Sequence, residues 1–210
     1  MSRSLQASHS IIIEPVTDKK SLRRFIHLPQ RLYEEEPRWV PPIYADEWRF
    51  HDPKHNAALA HSEVVRVIAR RGRQPVGRVM GIINRQHNEK QGEATARFFG
   101  LDCIDDVAVA RALLRAVEQW AKGKGMRRVI GPFGFSDKDP QGLQIEGFEY
   151  LPVIAAPSNP AYLPVLVEDD GYAMAFDCVS YKLPLKREAL PVYEKIYQRL
   201  MRRGELELVE

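Results

Sequence analysis

The strongest pattern of apolar and polar positions lies between Thr95 and Pro132. Apolar side chains recur there at spacings of three and four, at Ala110, Leu113, Leu114, Val117, Trp120 and Ala121. This spacing places them on one face of an amphipathic helix. An apolar run precedes the helix, and another begins near Arg127, after two glycines. The stretch is therefore predicted to be a strand–helix–strand crossover unit.

The same patterns predict further elements on either side of this unit. Strands are expected at 11–16, 62–71, 75–84 and 173–185, and helices at 18–32, 44–50, 56–61, 159–169 and 188–203. Pro29 is expected to interrupt or kink the first helix, and 85–92 is expected to be a polar loop. Residues 133–157 show no helical period and form either a substrate-covering loop or a packed surface loop.

This order of elements predicts an α/β (α+β) fold, in which a hairpin and a crossover unit form a mixed sheet with helices on both faces. We expect one main domain at 1–185. Residues 186–210 are expected to form a C-terminal helix and the start of a further segment, which would make the chain truncated or the front part of a longer protein.

Composition narrows the classes of partner. The chain has 210 residues, 28% of them charged, and a formal charge of only +3, which does not indicate a nucleic-acid binder. Two cysteines cannot form a disulfide framework, and no apolar run has the length of a signal peptide or membrane span. We therefore expect a cytoplasmic protein with no nucleic-acid or membrane partner. The arginines at 70, 71 and 73 are expected to be solvated.

Several short motifs point to one superfamily. With the helix Arg111–Met126, the order of elements resembles the GNAT acyl-CoA N-acyltransferases, and in particular a sparsely characterised bacterial branch of them. The residues that carry this resemblance are Trp39-Val-Pro-Pro42, Asp52-Pro-Lys54, Val76-Gly-Arg78, Phe98-Phe-Gly100, Asp105-Asp106, Gly131-Pro132 and Gly147-Phe148.

The resemblance implies a GNAT-like, mostly antiparallel sheet that binds acetyl-CoA or another acyl-CoA. Strand 96–102 and the strand from Arg127 would splay apart for the pantetheine arm, and the turn at 104–110 would hold the pyrophosphate. It implies acyl transfer to a small amine or amino-acid-like substrate, with a homodimer left open. The implied cofactor-binding residues are Leu101, Cys103, Val107, Ala108, Ala110, Arg111 and Asn159.

The phosphate turn departs from the family's basic, glycine-rich pattern. Asp105, Ala108 and Ala110 stand at its basic and glycine positions, and Asp106 adds a second carboxylate. Two like charges about 4 Å apart repel by roughly 4 kcal/mol at an effective dielectric of 20, whereas a helix N-terminus returns only about 0.3–1 kcal/mol. The aspartates therefore either cap the helix or point away from a bound phosphate.

The position of the family's general acid also differs in this sequence. A tyrosine is expected about one helical turn before Gly171-Tyr172, but Leu166 and Val167 stand there. Tyr162 is the candidate replacement, and its alternative role is packing against the sheet. Because both altered positions bear on activity, the alternative function is a GNAT-like binding or interaction module without transfer activity.

The remaining candidates each have two interpretations. Glu146 and its neighbour Glu149 would serve as base or amine anchor, or are simply exposed. Asn159 would cap the following helix or bind the pantetheine amides, and Cys103 would be a reactive thiol or a buried one. Three histidines, His51, His55 and His61, lie near a proline that breaks helical spacing, so no metal site is predicted.

Overall fold

The computed structural model describes residues 10–153, 156–184 and 191–203. The strands are β1 (Ile11–Pro15), β2 (Ser62–Arg71), β3 (Gln74–Asn84), β4 (Thr95–Cys103) and β5 (Arg128–Ile130). The helices are α1 (Lys19–Leu32), α2 (Tyr44–Phe50), α3 (Arg85–Gln91), α4 (Val107–Gly123), α5 (Tyr162–Asp169) and α6 (Pro191–Arg203), with a 3₁₀ turn at Ala57–His61. The chain divides into two compact units, 1–173 and 174–210.

The first unit is built on a five-stranded sheet in the order β1-β2-β3-β4-β5. Neighbouring strands are antiparallel except for β4 and β5, which are parallel and are joined by α4. A parallel pair needs such a crossover helix. The predicted mixed, mostly antiparallel sheet is confirmed.

Helices cover both faces of this sheet, as predicted. On one face, α4 and α5 bury Leu113, Leu114 and Leu163 against strand residues that include Phe98. On the other face, α1 packs Phe25 and Ile26 against Met80 and Ile82, with aromatic side chains of α2 at the margin. The site described below lies where these two layers meet the end of β4.

Helix α1 runs through Pro29, contrary to the expected interruption. Proline has no N–H, so the carbonyl of Phe25, four residues earlier, loses its partner within the helix. The buried Arg78 replaces it, because its Nη1 donates to Phe25 O at 2.7 Å. A side chain from β3 therefore supplies the hydrogen bond that the helix lacks.

Two predicted elements are wrong. Residues 85–91 form α3 rather than a polar loop, since Asn84 caps the helix start and Gly92 ends it at φ 65°. Residues 173–184 form no strand, although one was predicted at 173–185. The start of a further segment, expected at the C-terminal end of 186–210, lies outside the described residues. Within the described chain, no helix is long and apolar enough to cross a membrane.

Candidate functional site

The pairing between β4 and β5 is short, as the expected opening between them requires. The two strands pair only from Thr95 to Arg97 on the β4 side, and one further bond follows, from Phe133 N to Phe98 O at 2.9 Å. A Cβ on Gly131 would collide with that same Phe98 oxygen, so glycine is required where β5 turns away. From there to Cys103, β4 has no described strand beside it on this edge.

A bulge redirects β4 within the open stretch. Met80 pairs with Phe99 and Arg78 with Asp102, so two β4 residues lie between pairs that enclose one residue of β3. The first of the two, Gly100, has φ 58°, a conformation that favours glycine. The second is the predicted cofactor residue Leu101, whose side chain is buried in the core.

Tyr162 lies at the open end of β4. It is the first residue of α5, and its hydroxyl donates to Cys103 O at 2.8 Å. Burial, more than the neighbouring Cys103 and acidic residues, raises the pKa of Tyr162 above its ordinary value. The hydroxyl is therefore protonated at neutral pH and is a hydrogen-bond donor at this position.

The thiol of Cys103 is buried and faces the core. Burial, followed by the nearby aspartates, raises its pKa to about 12. A thiol with so high a pKa carries little thiolate and is a poor nucleophile. The interpretation of Cys103 as a buried core residue is confirmed, and any contact with a cofactor would involve its backbone.

A cluster of polar side chains that the sequence pattern did not predict lies on the other face of the same strand end. Asp102 Oδ2 accepts from Arg78 Nε at 2.8 Å. The hydroxyl of Tyr33 is buried and has no hydrogen-bond partner among the described residues. Burial, with Asp102 as the next cause, raises the pKa of Tyr33. The available signal was the antiparallel register, which sets Arg78 opposite Asp102.

The N-terminus of α4 is occupied by its own cap. Asp106 Oδ1 accepts from Ala108 N at 2.9 Å and from Val109 N at 3.3 Å. Its Oδ2 pairs with Arg71 Nη2 at 2.6 Å. The Arg71 hydrogen bond is the main cause that lowers the pKa of Asp106. The capping interpretation is confirmed for Asp106, whereas Asp105 is exposed and is not the cap.

This ion pair corrects the expectation that the hairpin arginines are solvated. Arg71 is held by Asp106, and Arg70 pairs with Glu14 at 2.6 Å. Only Arg73 is classed as exposed. The residues that pair with Arg70 and Arg71 are distant in sequence, so local charge patterns did not reveal them.

The other predicted residues of α4 divide by helical face. Val107 and Ala108 are exposed, whereas Ala110 is fully buried. Arg111 pairs with Asp170 at 3.1 Å, and only 1% of the Asp170 side chain is exposed. A role for Ala110 in binding would therefore use its backbone, and Arg111 already has an anionic partner.

The Asn159 side chain hydrogen-bonds the backbone of Gln144 and so links the long loop to the segment just before α5. Its Oδ1 accepts from Gln144 N at 2.7 Å, and its Nδ2 donates to Gln144 O at 3.2 Å. The helix itself has no side-chain cap, so the capping interpretation of Asn159 is wrong. Glu146, two residues beyond Gln144, is exposed, and no partner of its carboxylate is found in the described chain.

His51 and His55 make separate contacts. His51 is buried and accepts from Arg66 Nε at 3.0 Å, and burial lowers its pKa to about 3. His55 instead pairs with Asp52 at 2.9 Å. Among the described residues, no group of three or more metal-ligating side chains comes together.

Two curated proteins are similar in sequence over most of the chain. A bacterial ceramide synthase of Caulobacter vibrioides is 34% identical over 180 residues, which are 85% of this chain and 46% of that protein. Protein YghO of Escherichia coli is 30% identical over 174 residues, which are 83% of this chain and 44% of that protein. The chain thus spans about half the length of these relatives. No model of a known protein family matches it.

Two solved structures with a similar arrangement are aminoglycoside acetyltransferases. The aminoglycoside acetyltransferase meta-AAC0020 from a soil metagenome is 13% identical, with a TM-score of 0.49 over 84% of this chain and 97% of that one. The aminoglycoside N-acetyltransferase AAC(6')-Iy is 17% identical, with a TM-score of 0.47 over 85% of this chain and 95% of that one.

The described sheet itself defines the fold. A mostly antiparallel sheet ends in one parallel pair, a crossover helix joins that pair, and the pairing of its two strands is short. These are the features that the resemblance to GNAT proteins implied. The chain has the GNAT fold of the acyl-CoA N-acyltransferases.

Proposed function

We propose that this protein is an N-acyltransferase that moves an acyl group from acyl-CoA to an amine. The observation that supports this most directly is the open edge of β4 from Phe98 to Cys103, with the Tyr162 hydroxyl at its end. An unpaired strand edge presents backbone N–H and C=O groups to an extended ligand. Pantetheine is such a ligand, because it carries two amides along a flexible chain.

In this proposal, each step has a group in the described chain. The amine nitrogen attacks the thioester carbon, and backbone N–H groups near the bulge at Leu101 stabilise the negative charge on oxygen. The carbon–sulfur bond then breaks, and the thiolate takes the proton of Tyr162. Glu146 in the long loop is the proposed acceptor of the amine proton, after the loop brings its exposed carboxylate to the substrate.

At the N-terminus of α4, where the donor's pyrophosphate was expected to bind, the Asp106 carboxylate competes for the backbone N–H groups. Asp106 already accepts from the N–H groups of Ala108 and Val109, so a phosphate would bind there only if this carboxylate moved away. This observation favours the second candidate function, a GNAT-like module that binds a partner without acyl transfer. In our proposal the pantetheine arm on β4 contributes more to binding than the helix N-terminus, and Arg111 could contribute only by leaving Asp170.

A long-chain amino alcohol is the acceptor that we propose first, ahead of small amines and amino acids. The support is the similarity to a protein named as a ceramide synthase. A ceramide is an amide of a fatty acid with a long-chain amino alcohol, so its formation from acyl-CoA is an N-acylation. For the same reason the donor panel includes long acyl chains besides acetyl.

The test is amide formation. The protein is incubated with acetyl-CoA or palmitoyl-CoA and with sphinganine, ethanolamine or an amino acid, and amide product and free thiol are quantified. We expect equal amounts of amide and thiol from at least one pair, and a clear loss of rate in Tyr162→Phe but not in the exposed control Tyr181→Phe. Coenzyme A binding without any amide would favour the module, and no binding would exclude the acyl-CoA donor.

A further inference from the structure

Helix α6, in the second unit, presents a row of exposed apolar side chains. They recur at spacings of three and four and include two tyrosines: Tyr193, Ile196, Tyr197 and Leu200, with Val192 and Met201 beside them. Their exposed fractions range from 39% to 60%. Apolar side chains grouped in this way on a surface indicate a contact with something else.

The opposite side of α6 is basic. Lys195, Arg199 and Arg202 recur at spacings of four and three and are exposed. The acidic residue of this helix is Glu194, and its carboxylate accepts from Gln198 Nε2 at 2.8 Å. The helix therefore has an apolar face and a cationic face.

We propose that α6 binds an anionic lipid surface and lies parallel to it. An amphipathic helix with aromatic and aliphatic residues on one face and Lys and Arg on the other binds in this way. Its 13 residues form a helix about 20 Å long. Tyrosine suits the headgroup level because its ring is apolar and its hydroxyl is polar. This proposal replaces the expectation of no membrane partner.

Charge favours a lipid surface over the other occupants. A second copy of α6 would cover the apolar face but would leave the cationic face without an anionic partner. A nucleic acid would contact the cations and leave Ile196 and Leu200 in water. An anionic bilayer uses both faces, since its headgroups attract the cations and its hydrocarbon receives the apolar side chains.

Co-sedimentation of the whole chain with vesicles tests the proposal without any acyl transfer. Vesicles of phosphatidylcholine alone are compared with vesicles that contain phosphatidylglycerol as well. We expect binding to the anionic vesicles, weakened by salt. The double variant Ile196→Ser/Leu200→Ser should lower the partition coefficient about a hundredfold, and Lys195→Gln/Arg199→Gln roughly twentyfold.

The control is Ile12→Ser, which changes an exposed apolar residue of β1 in the other unit and should leave binding unchanged. Unfolding midpoints confirm that all variants are folded. Equal binding to neutral and anionic vesicles, or no binding to either, would overturn the proposal. A second result would also overturn it: light scattering shows a dimer of the wild type but not of Ile196→Ser/Leu200→Ser, and vesicles bind neither the wild type nor the variant.

Discussion

Asp106 contacts three partners, and each contributes to the start of α4. Its carboxylate accepts from two backbone N–H groups and pairs with Arg71, which lies 35 positions earlier in the chain. The sequence was sufficient to predict a capping aspartate, because Asp before an apolar period is a local signal. It was not sufficient to predict Arg71, since only the folded sheet brings the β2–β3 hairpin to this helix.

Asp106→Ala should lower the free energy of unfolding by about 1–2 kcal/mol, because the helix loses its cap and Arg71 loses its partner. Urea denaturation measures this difference. Asp105→Ala is the matched control, since this neighbour is exposed, and it should change stability by less than about 0.5 kcal/mol. Equal losses in the two variants would contradict the assignment of the cap.

The Asp106 carboxylate should also make the free energy of unfolding depend on pH. Its pKa is lowered in the folded protein, chiefly by Arg71, so its contribution to stability is complete above the unfolded value near 3.8. The contribution is lost as pH falls through the lower, folded pKa. The difference in unfolding free energy between the wild type and Asp106→Asn should therefore be constant from pH 5 upwards and shrink below about pH 4. A difference that grows in acid would contradict this.

The two tyrosines near the end of β4 should differ in how loss of the hydroxyl changes the free energy of unfolding. Tyr162→Phe removes the hydrogen bond to Cys103 O and should cost about 0.5–1.5 kcal/mol. Tyr33→Phe removes a buried hydroxyl that has no partner within the described part of the chain and should be neutral or stabilising. Urea denaturation of both variants measures the contrast. A larger loss for Tyr33→Phe would indicate a hydrogen bond that the structure lacks.

The elements differ in how much of them local sequence could predict. Helix α4 was predicted because its buried face repeats over 17 residues. Helix α3 was missed because its seven residues contain no apolar side chain, so only its caps marked it. The prediction of a strand at 173–185 was wrong for residues 173–184. A sequence that favours a strand forms one only where a neighbouring strand is available to pair with it.

The hydrogen bond from Arg78 of β3 to Phe25 O of α1 can be tested by mutation. Arg78→Met should cost about 3–5 kcal/mol, because Asp102 loses its buried partner and Phe25 O loses its donor. Adding Pro29→Ala should recover about 1 kcal/mol, since the new N–H can bond Phe25 O. Urea denaturation of the four forms gives the coupling.

The control for this cycle is Arg85→Met, which removes an exposed ion pair with Glu63 and should cost less than about 1 kcal/mol. If Pro29→Ala gave the same change with and without Arg78, the guanidinium would not be compensating for the proline.

For the molecule as a whole, the fold was predictable from element order, whereas the candidate site includes contacts that the sequence did not reveal. The open parallel pair was expected from the GNAT resemblance. The pairing of Asp106 with Arg71 and the pairing of Asp102 with Arg78 are contacts between residues distant in sequence. The first of them holds the carboxylate that caps the N–H groups of Ala108 and Val109.

We propose that acyl-CoA binds along the open edge of β4. Amide hydrogen exchange of the whole chain, with and without saturating coenzyme A, tests it most directly, because exchange slows where a ligand protects backbone N–H groups. We predict slower exchange in Phe98–Cys103 and at the start of α5, with no change in α6. Unchanged exchange in β4 at saturating coenzyme A, or protection confined to other elements, would contradict the account.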